Sequence, residues 1–252
     1  MRAWLFPVLF CAAPFVASPA RAQVEGLDSV WVERYHTQLI GKDTLKTYRI
    51  FVDMQPGYTM QMVYGTEHQQ LEIGTTSSFY NDPEHSVKYA DLLPADQLNS
   101  GTAALDSWLT VGAASSGHVA VPKHLDPDGS VVKCPPYGKA RDRSMSICKR
   151  DGLMAVDSVP QVVNFRMDPG YLGTIPGQIL HTMDGAWAVL GGTRGTTAEN
   201  MVLIAQLSTT GVLSYQLNLQ LGAPDGSFIR LVHTAAAPSE VLLPSLRRTL
   251  TY

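Results

Sequence analysis

The chain has 252 residues, of which 45% are hydrophobic and 16% charged, with a formal charge of −3. A chain of this length buries enough surface to fold as one large domain without a metal or a dense disulfide net. The acidic balance, which deepens once Arg2 and Arg21 leave with the leader described next, excludes nucleic acid as a general partner.

Met1-Arg2 forms a short positive start, and Ala3 to Val16 is almost wholly apolar, broken only by Pro7 and Pro14. Ala20-Arg21-Ala22 then supplies a small-x-small site, so residues 1–22 read as a cleavable signal peptide cut before Gln23. The apolar run is too short to span a bilayer, and no later run reaches that length, so no transmembrane segment is expected. Phe10 before Cys11 is too bulky for a lipid-modification site. The expected destination is outside the cytoplasm: secreted, at the cell surface or periplasmic. Residues 23–252 are expected to form a single domain.

Within that domain, strand signals recur between turn residues. In chain order they are Val30–Thr37, Leu45–Met54, Tyr58–Tyr64 after the Gln55-Pro56-Gly57 turn, and Gln70–Gly74. Leu105–Val111, His118–Val121, Leu153–Val156, Ala186–Leu190 and Met201–Leu207 follow. Val212–Leu221 alternates most cleanly, with Leu213, Tyr215, Leu217, Leu219 and Leu221 on one face. It reads as one strand, joined to Met201–Leu207 in a hairpin through Ser208-Thr209-Thr210-Gly211. Pro224-Asp225-Gly226 turns it into Ser227–His233, completing a meander. Ala90 to Leu98 could hold a turn or two of helix, limited by Pro94. Ser77–Ala104 and Asp126–Asp151 remain as two long loops. The expected fold is all-β, an antiparallel β-sandwich of jelly-roll or immunoglobulin-like texture carrying those loops.

Cys134 and Cys148 are the cysteines left after the leader, and in an exported chain they are expected to form a disulfide, adding about 3 kcal/mol by closing a loop of about 15 residues. The same loop holds Lys133, Lys139, Arg141, Arg143, Lys149 and Arg150, a basic cluster that suits an anionic ligand or serves simply as a solvated face.

Catalytic motifs are sparse. Gly-x-Ser-x-Gly is absent, and Ser116 with His118 offers only a serine and a histidine without an acid. His36, His68, His85, His118, His124, His181 and His233 lack metal-ligand spacing. Asp126-Pro127-Asp128-Gly129 resembles the start of a calcium loop but reads better as a turn. Glu33, Asp53, Glu72, Asp106 and Asp157 are the carboxylates from which a glycosidase pair could be drawn. Trp31, Tyr58, Tyr64, Trp108 and Trp187 would suit sugar stacking, though aromatics at strand positions favour the core. No catalytic residue, metal ligand or cofactor is assigned.

Several segments in order carry a family likeness. They are Thr47-Tyr48-Arg49-Ile50-Phe51-Val52-Asp53 with Tyr64-Gly65, Thr75-Thr76-Ser77-Ser78-Phe79-Tyr80, and Leu105-Asp106-Ser107-Trp108-Leu109-Thr110-Val111-Gly112. Asp184-Gly185-Ala186-Trp187, Gly191-Gly192, Ala198-Glu199-Asn200 and Val202-Leu203-Ile204-Ala205-Gln206-Leu207 with Thr209-Thr210-Gly211 continue it. Through them the chain resembles an uncharacterised family of secreted bacterial proteins, prominent among Bacteroidetes. The resemblance implies export, a β-sandwich and, in some longer relatives, a type IX secretion sorting domain. Such a domain is not expected within this sequence, which closes at Leu250-Thr251-Tyr252. It implies no reaction. The functional expectation is a non-enzymatic module that binds a glycan, a matrix component or another surface protein. A secreted polysaccharide hydrolase and a structural module of a larger extracellular assembly are the alternatives.

Overall fold

The computed structural model describes residues 24–132, 149–167 and 177–251. The leader, Cys134, Cys148, Lys133, Lys139, Arg141 and Arg143 lie outside the described residues, and with them the disulfide and most of the basic cluster.

The first sheet runs in the order β1 (Leu27–Ile40), β2 (Asp43–Met54), β12 (Met201–Thr209) and β5 (Trp108–Leu109), all antiparallel. Every residue of β12 is buried, because both faces of this sheet are covered. Toward one side Val202, Ile204 and Leu207 join Tyr48, Ile50 and Val52 in the main core; toward the other, Met201, Leu203 and Phe51 enter a second cluster. A register shift between Leu203 and Ala205 marks a bulge, which lets Ile204 and Ala205 both enter the main core.

Two further sheets share that main core. One is ordered β10 (Ile179–Thr182), β4 (Leu71–Thr75), β13 (Leu213–Gln216) and β17 (Arg247–Thr249). The other has six strands: β16 (Glu240–Leu242), β15 (Phe228–Val232), β14 (Leu219–Gly222), β3 (Thr59–Tyr64), β11 (Ala186–Thr193) and β9 (Val163–Phe165). A small fourth sheet, β6 (Ala113–Ser115), β7 (His118–Ala120) and β8 (Leu153–Ala155), packs with Leu93, Leu98 and Leu105 on the far side of the first.

The all-β expectation therefore stands, and the sheets are antiparallel apart from the parallel β15–β16 pair, but the two-layer sandwich is corrected: the four sheets form a propeller-like ring of four blades. The physical reason lies at Leu217-Asn218. Val212–Leu221 is two strands in different sheets, β13 pairing with β4 and β14 with β3. Asn218 is fully buried, and its amide donates to the carbonyls of Tyr64 and Gln69 at 3.0 and 2.9 Å while its own oxygen meets His233 Nδ1 at 3.0 Å. A side chain at an outward register position is thus drawn inward by carbonyls that need a donor, and the strand breaks there. The hairpin expected between Met201–Leu207 and this segment is not formed. The next hairpin is: β14 turns into β15 through Pro224-Asp225-Gly226, with Gly226 at φ 87°.

The two long loops are each organised by buried carboxylates. In the first, 3-10 turns at Ala90–Leu92 and Ala95–Asn99 flank Pro94, as the sequence suggests, and a third at Ala103–Leu105 takes the start of the strand expected from Leu105. Asp106 accepts from the backbone of Asp82 (2.8 Å) and Val87 (2.9 Å) and from Ser86 Oγ (2.9 Å). Asp82 in turn accepts from Thr102 and from the amides of Glu84 and His85. In the second loop Asp126 accepts four backbone N–H bonds, from Asp128, Gly129, Asp151 and Gly152.

Burial pushes the Asp106 carboxyl up to about 7, against the pull of the N–H donors from Val87 and Asp82. The folded protein thus holds this proton more tightly than the unfolded chain. The stability it contributes is full below about pH 4 and is lost as pH rises toward 7, with a slope of up to about 1.4 kcal/mol per pH unit. Asp106→Asn is expected to flatten that slope in denaturant unfolding measured from pH 4 to 7, and a slope unchanged in the variant would assign it to other groups.

Candidate functional site

On the outer face of the six-stranded sheet, paired residues cross all six strands in one row: Glu240, Arg230, Gln220, Met62, Ala188 and Val163. One step along, Tyr64, Ala186 and Phe165 pair in turn. Tyr64, Ala186 and Val232, with Met62 packed against them, make a small apolar floor separate from the main cores. Over this floor lies a cavity of about 310 Å³, lined by Met62, Tyr64, Phe165, Asp184 and Arg230 among others. A second cavity of about 530 Å³ meets it at Asp184 and is lined by Glu67, Arg166, Met167, His181 and Met183. The two share Asp184 in their linings and together are called the groove; each is in the size range of ligand clefts.

Local sequence builds the walls. Gly65 N–H donates to Gly185 O at 2.8 Å, and a Cβ on Gly65 would stand 2.3 Å from Thr182 O. The absence of a side chain there lets the Thr182–Gly185 turn close onto the end of β3 and brings Asp184 over the groove. On the opposite wall Asn164 closes a turn onto Met167, accepting from its amide at 3.1 Å and donating to its carbonyl. Arg166 inside that turn takes φ 49°, a left-handed conformation that costs energy for a non-glycine residue and that the Asn164 bracket holds.

The polar groups here are unspent. Among the described residues, the carboxylates of Glu67 and Asp184 and the guanidinium of Arg166 make no ion pair or side-chain hydrogen bond, although all three line one cavity. His181 Nε2 meets only Gln70 Oε1, at 3.4 Å. Beside them Phe165 and Met183 are each 45% exposed. An apolar surface flanked by unengaged planar donors and acceptors is suited to a polyhydroxylated ligand, whose C–H face stacks while its hydroxyls pair in the plane.

The residues singled out from sequence are placed elsewhere. Ser115, not Ser116, contacts His118, with Oγ and Nδ1 2.8 Å apart; Ser115 is fully buried and also accepts from Gly117 N–H, while Ser116 accepts from Ala95 N–H. A serine sealed in this way meets no substrate. The Asp126-Pro127-Asp128-Gly129 segment is a turn, its first carboxylate saturated by amides, and no group of metal-ligating side chains occurs among the described residues. Three of the five carboxylates weighed for glycoside cleavage hold partners of their own. Glu33 accepts from Lys123 N–H, Asp53 from Ser29, and Asp106 holds its loop, while Glu72 is only a backbone register partner of His181 between β4 and β10 and Asp157 is exposed. Trp108, Trp187, Tyr58 and Tyr64 are buried, and Trp31 packs on Phe51 and His124. Lys149 and Arg150 of the basic cluster are exposed at the loop stem, where Arg150 donates to His124 O at 3.0 Å.

Sequence reasoning missed Glu67, Phe165, Arg166, Asp184 and Arg230 as a group. They come from four separate segments, Phe165 and Arg166 being adjacent, with no shared spacing, and only Asp184-Gly185 carried a local signal, that of a turn.

No protein-family model, curated protein or solved structure matches this chain.

Proposed function

We propose that the protein is an exported binding module that holds a glycan in the groove of the six-stranded sheet without cleaving it. The observation that carries this reading is two cavities that share Asp184, one lined by the exposed Phe165 and the other by the exposed Met183 with the unengaged Glu67 and Arg166. The leader-like first 22 residues and the resemblance to secreted bacterial proteins agree with a ligand met outside the cytoplasm. Binding is favoured over hydrolysis because the carboxyls that burial raises, Glu33, Asp53, Asp91, Asp106, Asp128 and Asp151, line neither cavity. A general acid would be expected in the cleft itself.

The test is a glycan array and polysaccharide pull-down with protein lacking residues 1–22, followed by assay of each hit for new reducing ends. Saturable binding without cleavage is the expected result. Asp184→Ala is expected to weaken it roughly tenfold to hundredfold, the value of one or two hydrogen bonds to a charged group. New reducing ends would convert the reading to a hydrolase using Glu67 and Asp184, and silence across all glycans would overturn it.

A further inference from the structure

We propose that the smaller cavity is a carboxylate subsite and that the glycan held in the groove is a uronate-bearing polysaccharide; this rests on the binding reading above. Arg230 is the residue that points to it. Its Nε donates to Gln220 Oε1 at 3.2 Å, and Gln220 Nε2 donates in turn to Gln61 Oε1 at 3.0 Å. Its guanidinium lies over the Phe228 ring, 5.0 Å from the centroid. The Gln220 bond and the Phe228 ring anchor the inner side of the guanidinium. Its two terminal nitrogens make no hydrogen bond among the described residues. A planar fork anchored at Nε with both outer arms free matches a carboxylate in two-pronged geometry.

The neighbours narrow the ligand further. Tyr64 lines the same cavity, and its buried hydroxyl has no hydrogen-bond partner. Burial and the nearby Glu240 push that phenol up to about 12, so it stays protonated across ordinary pH, and with its hydroxyl sealed it forms part of the wall and does not supply a ligand contact. Glu240 is beside Arg230 in the row but is engaged by Gln69 Nε2 and Ala237 N–H. Asp184 faces this cavity and Glu67 faces the adjoining one, and both are acceptors for sugar hydroxyls. A sugar acid flanked by hydroxyls satisfies the fork and the two acceptors together. Phe165 closes the cavity with apolar surface.

The test compares the unmodified protein against polygalacturonate, its methyl ester, alginate, dextran sulfate and neutral dextran, by calorimetry or retardation in affinity gels. Binding to polygalacturonate or alginate is expected, falling at least tenfold on methyl esterification, which removes the carboxylate charge and keeps the chain. Arg230→Gln is expected to abolish the difference between acid and ester, and Gln220→Leu to reduce it partially, since it loosens the fork without removing it. The esterification comparison uses the native chain, so it stands even if a variant fails to fold. Equal affinity for acid and ester, tighter binding of dextran sulfate, or an Arg230→Gln protein that folds and keeps the preference would each overturn the subsite. A neutral glycan bound equally well would sink the uronate assignment and leave the glycan reading intact; no binding to any polysaccharide would sink both.

Discussion

Arg49→Ala is expected to cost about 3–5 kcal/mol of folding stability, the range for breaking a buried charged network by removing one partner. Arg49 is 2% exposed on β2, on the side of the first sheet that faces the fourth. Its Nε donates to Gln206 Oε1 at 2.9 Å, and one terminal nitrogen donates to the carbonyls of Asp151 and Gly152 at 3.2 and 3.1 Å. The guanidinium also lies 3.5 Å from the centroid of the Tyr35 ring. One side chain thereby ties β12, β1 and the stem of the second long loop to β2. Glu33 depends on it as well: burial raises that carboxyl, and Arg49 and the Lys123 backbone and charge pull it back down. In the alanine variant Gln206 Oε1 and the Asp151 carbonyl would lose their donor in a buried site, while the Gly152 carbonyl would keep only Val121 N–H. At roughly 2–4 °C per kcal/mol for a domain of this size, the melting temperature should fall by about 6–20 °C. Arg49→Lys should recover only part of this, because an ammonium can neither stack flat on Tyr35 nor reach three acceptors from a planar fork. Thermal and urea unfolding followed by circular dichroism would decide, and a loss below about 1 kcal/mol would show that the network is not a stabilising pin.

Trp187→Ala is expected to cost a comparable 3–5 kcal/mol, the range for removing a fully buried large aromatic. Trp187 on β11 is 0% exposed in the main core. Its Nε1 lies 3.0 Å from Thr110 O and 3.2 Å from Ile204 O, a shared donation that joins the six-stranded sheet to the first sheet. Trp187→Phe separates the two contributions. It keeps most of the apolar volume and removes the indole donor from the Thr110 carbonyl, while the Ile204 carbonyl keeps Thr110 N–H, so about 1–2 kcal/mol should be lost. Because β11 pairs with both β3 and β9, which wall the groove, the alanine variant should also lose glycan affinity. Unfolding curves and binding isotherms on the two variants check both points, and an alanine variant as stable as the phenylalanine one would remove the packing argument.

The groove and the core differ in how far they could be read from residues alone. Phe51, Ile50 and Val52 sit in a run of β-branched and aromatic residues that reads as strand without context, and β2 spans Asp43–Met54, close to the expected Leu45–Met54. Pro94 limiting helix and Pro224-Asp225-Gly226 turning a hairpin were equally legible, since their effect acts through φ within a few residues. Leu217-Asn218 was not. Its clean alternation is continuous in sequence, and only the carbonyls of Tyr64 and Gln69, far away in the chain, decide that Asn218 turns inward.

What the amino-acid order determined by itself was therefore the all-β class, most strand positions and the tight turns, because these depend on side-chain alternation and backbone sterics over a handful of residues. The tertiary structure alone decided that four sheets replace two layers, that Arg49 is buried rather than solvated, and that Glu67, Phe165, Arg166, Asp184 and Arg230 meet. Those outcomes depend on which strands pair and which buried polar atoms find partners. Such long-range choices have no period or spacing along the chain, because each is set by a hydrogen-bond or packing demand that arises only when distant segments come together.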